Sequence, residues 1–102
     1  MDKIYRVTYT IGGITERTDD FVSNADNPYY RRTSNGFNAA TMSDDSTESA
    51  INAIRDKFKG VWGFNPDAIE IKSIITGHVE YVECKIPRAA KLRRPRPVFV
   101  AD

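Results

Sequence analysis

Ile4-Tyr5-Arg6-Val7-Thr8-Tyr9-Thr10-Ile11-Gly12-Gly13-Ile14-Thr15-Glu16-Arg17-Thr18-Asp19-Asp20-Phe21-Val22 is the stretch that decides the fold class. Two runs rich in β-branched and aromatic residues meet at paired glycines, and glycine supplies the positive φ that a two-residue hairpin turn requires. With Gly12-Gly13 as that turn, Ile11 faces Ile14, Val7 faces Thr18, Arg6 faces Asp19 and Ile4 faces Phe21. One face then gains an ion pair and an apolar pair. Tyr5, Val7, Tyr9 and Ile11 share the other.

Further along, Asn35-Gly36 predicts a second hairpin between Tyr29-Tyr30-Arg31-Arg32-Thr33-Ser34 and Phe37-Asn38-Ala39-Ala40-Thr41-Met42. The alternative is a long excursion from Asn24 to Asn38 with only its second half in a sheet. A helix follows from about Ser46 to Lys59. Asp45 with Glu48 three residues on resembles a capping box, Ala50, Ile51, Ile54 and Phe58 recur at helical spacing, and Gly60 suits the position just past the end. Asn52, Arg55, Asp56 and Lys59 form its solvent face.

Val61-Trp62-Gly63-Phe64-Asn65-Pro66 is too broken by glycine and proline for a regular element, and its two aromatics are expected to fold back under the sheet. Ala68 to Ile75 alternates as a strand, and Thr76-Gly77 is expected to turn it into a return strand from His78 to Cys84, pairing Ile69 with Cys84 and Ile71 with Val82. From Pro87 onward periodicity stops. Pro95 and Pro97 favour an extended arm, closed by the apolar triplet Val98-Phe99-Val100.

The 102 residues suit one core, and 40% apolar residues with eleven aromatics argue against wholesale disorder. A net charge of +1 hides a split: residues 85–102 carry six Lys or Arg against one acid, residues 1–84 nine against thirteen. Such a basic segment attracts phosphates or an acidic partner surface even when the molecule as a whole is nearly neutral. The single cysteine, Cys84, rules out an intrachain disulfide, and no window approaches the roughly twenty apolar residues that span a bilayer. A cytoplasmic setting away from the membrane is expected.

Catalytic chemistry finds little material. His78 and Cys84 are the only residues of their kinds, and six residues of extended strand separate them by roughly 20 Å. Cys84 reads better as a small buried hydrophobe, and His78 as a residue beside a turn. Asp19-Asp20 and Asp44-Asp45 are the carboxylates that a hard cation would choose. Pairing of Asp19 with Arg6 and capping by Asp45 explain them as well, so no metal and no cofactor is expected.

Binding chemistry is better supplied. Arg88, Lys91, Arg93, Arg94 and Arg96 in the arm, with Tyr29, Tyr30, Arg31 and Arg32, offer guanidinium and aromatic faces to nucleic acid or to a protein surface. Val98, Phe99 and Val100 can dock as an edge strand on the domain itself or on a neighbouring subunit, which would make a homo-oligomer.

Tyr5-Arg6-Val7-Thr8-Tyr9, Glu48-Ser49-Ala50-Ile51 and Ala68-Ile69-Glu70-Ile71-Lys72-Ser73-Ile74 together resemble small uncharacterised phage-encoded accessory proteins, over about half the chain. The resemblance implies an inhibitor, modulator or accessory factor that binds a host or phage macromolecule in the host cytoplasm. The expected architecture is an α+β domain over residues 1–86, an antiparallel sheet of five or six strands with a single helix on one face, followed by an extended basic arm over 87–102. Ile51, Ile54, Phe58, Val7, Ile69, Ile71 and Val82 form its expected core. The expected function is non-catalytic binding of a protein partner or of a second copy, with nucleic-acid binding as the alternative and a small metal-dependent enzyme as a distant third.

Overall fold

The computed structural model describes residues 3–34, 38–82 and 96–102. It is an α+β fold. The described residues hold β1 (Ile4–Ile11), β2 (Arg17–Val22), a 3₁₀ helix (Pro28–Thr33), α1 (Thr47–Lys57), a short 3₁₀ turn (Pro66–Ala68), β3 (Ile69–Val82) and β4 (Arg96–Ala101). The four strands form one antiparallel sheet in the order β2-β1-β3-β4. Among the described residues there is no helix long and apolar enough to cross a membrane.

The first hairpin forms, but one residue out of the expected register. Val7 pairs with Asp19, Arg6 with Asp20, Tyr5 with Phe21 and Ile4 with Val22. The connection runs from Gly12 to Glu16 instead of closing at the glycines, and Gly12 spends its N–H on the carbonyl of Ala68, 3.0 Å away. Because side chains alternate with period two, a slip of one residue moves a whole set to the other face. Phe21 thereby joins Tyr5, Val7 and Tyr9 in the core, each no more than 5% exposed. The register with Arg6 facing Asp19 would have left that ring on the other side of the sheet.

Helix α1 covers that face. Ser46 caps it, its hydroxyl accepting from the Ser49 N–H at 3.1 Å, and Asp44 braces the cap by accepting from the Ser46 N–H and the Ser49 hydroxyl at 2.9 and 2.7 Å. The capping residue is therefore Ser46, one position after the expected Asp45. Ala50, Ala53, Ile54 and Phe58 pack on Tyr5, Val7, Tyr9 and Phe21 with Ala40 and Met42. Ile51, Ile69 and Ile71 are half-buried, and Val82, expected inside, is 46% exposed.

β3 needs an irregularity to contribute. Opposite Thr8 and Tyr9 its register shifts, from Val7 against Ile74 to Tyr9 against Ile71. A bulge of one residue exchanges the faces. Ile69, Ile71 and Ile74, which have mixed parity, can therefore all pack against the core.

The other two expected hairpins are replaced. Pro28–Thr33 is 3₁₀ helix, started by Asn27, which accepts from the Tyr29 N–H at 2.9 Å, and by Pro28. Thr41 makes only an isolated parallel bridge to Val22. Asn35 and Gly36 lie outside the described residues. Thr76-Gly77 does not turn, because β3 runs straight through it and β4 pairs alongside, Gly77 with Ala101 through Val82 with Arg96. Gly77 is needed for close approach: a Cβ there would lie 2.6 Å from the Phe99 ring and 2.3 Å from the Val100 carbonyl oxygen. The sheet thus has four strands among the described residues instead of five or six.

Candidate functional site

The loop after α1 is the most exposed apolar feature of the described molecule. Phe58 ends the helix, Gly60 turns the backbone at φ 82°, and Gly63 turns it again at φ 81°, conformations that only glycine adopts readily. The turns are closed by the Val61 N–H on the Phe58 carbonyl at 3.0 Å and the Phe64 N–H on the Val61 carbonyl at 3.4 Å. Val61 and Phe64 point inward, Phe64 stacking on Phe58 with centroids 5.2 Å apart. The Asn38 amide donates to the carbonyls of Lys57 and Lys59 at 3.4 and 2.9 Å, which ties the loop's root to the preceding segment.

Trp62 sits at the apex of this braced turn, 97% exposed. The expectation that it folds back under the sheet is overturned for Trp62 and holds for Phe64. Two inward residues three apart leave Trp62 and Gly63, the two between them, on the outside. One groove of about 400 Å³ lies between Trp62, Val61, Lys59 and Asn38, and an open one of about 520 Å³ runs past Phe58, Phe64 and Pro66. Charges around them have mixed sign: Arg55 pairs with Asp67 at 3.6 Å, and Asp56 and Lys59 line the second groove.

The Tyr29 to Arg32 segment has a different setting from the one expected. In a 3₁₀ helix the four side chains do not alternate between two faces. The Tyr29 hydroxyl donates to Asp20 at 3.2 Å and the Tyr30 hydroxyl to the Ala39 carbonyl at 3.2 Å, whereas Arg31 and Arg32 are exposed. Tyr29 and Arg32 meet Arg6, Asp19, Asp20 and Lys57 around a polar cleft of about 260 Å³ at the β2 edge.

The cleft walls are closely paired. Asp20 accepts from Arg6 Nε at 2.8 Å and from its terminal nitrogen at 3.1 Å. Asp19 accepts from the Tyr9 hydroxyl and meets Lys57 Nζ at 3.3 Å. Lys57 is 3% exposed and its ammonium lies 5.3 Å from the centre of the Phe21 ring. Burial first, then the bond to Asp19, pushes the Tyr9 hydroxyl well above the ordinary phenol range. Burial and then the Asp20 charge raise Tyr29. These pairings occupy Asp19 and Asp20, two of the four carboxylates singled out for a hard cation, and a third, Asp44, is engaged at the helix cap, its carboxyl held below the usual range by the Ser46 and Ser49 bonds. Among the described residues there is no group of three or more His, Cys, Asp or Glu able to hold a metal ion.

At the far edge, Val98, Phe99 and Val100 pair with β3 of the same chain, opposite Glu80, Val79 and His78. Arg96 starts β4. Arg88, Lys91, Arg93 and Arg94 lie outside the described residues, as does Cys84. Of the residues predicted for binding, the structure brings Tyr29 and Arg32 to one cleft and places Phe99 against Arg6. Trp62 was missed as a candidate, although Gly60 and Gly63 on either side of it are the local signal for an exposed apex.

Comparison with protein-family models, with curated proteins and with solved structures finds no match to this chain.

Proposed function

We propose that this chain is a non-catalytic binding protein whose partner is another protein, acting in the cytoplasm in the manner of the phage-encoded inhibitors, modulators and accessory factors that its sequence resembles. The observation that carries this reading is Trp62, left 97% exposed on a loop braced at both ends. Tryptophan dominates binding hot spots because it buries a large apolar area from a rigid side chain. At about 25 cal/mol per Å², covering some 200 Å² of Trp62 is worth roughly 5 kcal/mol before the costs of association. That gain is unused in folding and available to a partner.

The mixed charges beside the loop favour protein over a polyanion, because a surface that carries acids and bases in equal measure offers phosphates no net attraction. Nucleic-acid binding through Arg88, Lys91, Arg93, Arg94 and Arg96 is the alternative. A photo-crosslinking phenylalanine analogue at position 62, in cells that express the chain, is expected to join it to one discrete protein species, a second copy included. The same analogue at position 14, where Ile14 is 87% exposed, serves as the control and should not. Identical labelling from both positions, or capture of nucleic acid from position 62, overturns the proposal.

A further inference from the structure

The cleft at the β2 edge has an imbalance that its ion pairs do not explain. Arg6 is matched by Asp20, and Lys57 by Asp19. Arg32 lines the same cleft, is exposed, and has no ion-pair partner among the described residues. It lines the cleft beside Tyr29, whose hydroxyl donates to Asp20. Ser34 on the same rim contributes a hydroxyl. The result is a concave polar site in which two cation–anion pairs cancel and one guanidinium is left over.

We infer that this cleft binds a carboxylate, held by the fork of Arg32 and by the Ser34 hydroxyl over walls formed by the Arg6–Asp20 and Lys57–Asp19 pairs. A guanidinium presents parallel N–H groups that match two carboxylate oxygens. The single surplus charge selects a monoanion. A phosphate monoester carries a second negative charge at neutral pH, and that charge would lie beside Asp19 and Asp20 without a cation of its own. A volume of about 260 Å³ admits a group the size of an amino acid. The carboxylate can come from a peptide C-terminus or from an acidic side chain. The inference is independent of the Trp62 loop and goes beyond it.

The test uses the full chain and small probes, so it does not depend on any partner being known. In ¹H–¹⁵N correlation spectra, N-acetylglycine stands for a free C-terminus, N-acetylglutamate amide for an acidic side chain, and inorganic phosphate for the competing anion. Saturable shifts at Tyr29, Arg32 and Ser34 are expected with at least one of the two carboxylates, and the tighter one names the source. Arg32→Gln should weaken that binding at least about tenfold, as expected for loss of a charge-assisted bidentate contact. Lys72→Gln, an equal loss of charge elsewhere on the sheet, should leave it unchanged. Absence of saturable shifts, equal weakening by both variants, no weakening by Arg32→Gln, or tighter binding of phosphate overturns the inference.

Discussion

The Arg6 guanidinium lies 4.1 Å from the centroid of the Phe99 ring, so β1 and β4, separated in the sheet by β3, are joined across its face. The same guanidinium forks onto Asp20, which also accepts from Tyr29. One cation therefore ties together β1, β2, the 3₁₀ helix and β4. A double-mutant cycle with Arg6→Gln and Phe99→Leu, followed by urea unfolding, should give a coupling of about 0.5–1 kcal/mol, the usual worth of a cation–π contact at a partly exposed site. A coupling of zero would mean that the contact contributes nothing to the docking of β4.

Gly77 is where β4 comes closest to β3. A Cβ at that position meets backbone at Val100 as well as the Phe99 ring, so side-chain movement alone cannot relieve the clash. Gly77→Val is predicted to loosen β4 at a cost of roughly 1–3 kcal/mol, typical of overpacking. The Asp102 N–H bonds to the Thr76 carbonyl at 3.0 Å, and alternation along an antiparallel ladder turns the Val98 and Val100 amides the same way. Hydrogen exchange should show those amides losing protection while Val7 and Tyr9 keep theirs. Uniform loss across the sheet would contradict a local effect.

Protonation of His78 should strengthen the end of β4. Its Nδ1 lies 2.8 Å from Asp102 and its Nε2 3.4 Å from Glu80, while Lys3 meets Asp102 from the other side at 3.6 Å. The bond to Asp102 first, then that to Glu80, raises the His78 pKa above 6.5, and the His78 bond first, with Lys3, lowers that of Asp102 below 3.8. A raised histidine stabilises fully below its unfolded pKa, and that contribution is lost as pH rises through the folded value. A lowered carboxylate stabilises above its unfolded pKa and loses the contribution as pH falls through the folded value. Docking of β4 is accordingly firmest between about pH 4 and 6.5. In an NMR titration, Asp102→Asn should bring the His78 midpoint back toward its ordinary value; an unmoved midpoint would contradict the pairing.

Lys57 sits in the core side of the sheet with Asp19 as a counter-ion. Lys57→Met keeps the side chain's length but leaves the carboxylate with the Tyr9 hydroxyl as its remaining bonded partner among the described residues. Since Asp19 keeps 20% of its side-chain exposure, the loss should fall at or below the usual range for breaking a buried pair, roughly 2–3 kcal/mol in urea unfolding. Adding Asp19→Asn should recover part of it, because the uncompensated charge is then gone. If the double variant is less stable than Lys57→Met alone, Asp19 has another role.

Trp62 makes the opposite prediction. Trp62→Ser should change stability by no more than about 0.5 kcal/mol, as for other exposed positions. It should abolish co-purification of the partner. Large destabilisation would show that the ring packs in solution and would remove the basis for the protein-binding proposal.

What the sequence determined by itself was mostly local. The α1 helix was legible because its apolar spacing and Gly60 act within a few residues, although the cap fell on Ser46 and not on Asp45. The pairing of β1 with β2 and the strand from Ile69 were legible for the same reason: composition and alternation belong to each segment on its own. Tertiary contacts decided the rest. The hairpin register followed the gain from burying Phe21 beside Tyr5 and Val7, which outweighed the tight turn that Gly12-Gly13 favours locally. Asn35-Gly36 signalled a hairpin, yet Pro28 and the Asn27 cap gave Tyr29 to Thr33 to a 3₁₀ helix bonded to Asp20 and Ala39. Thr76-Gly77 has the look of a turn, but the approach of Phe99 and Val100, some twenty residues away in sequence, makes that glycine the middle of a strand. Trp62 is exposed because Val61 and Phe64 take the inward positions of a loop turned at Gly60 and Gly63, Phe64 stacking on Phe58. The hairpin register and the course of β3 depend on contacts between segments distant in sequence, which local propensity does not encode.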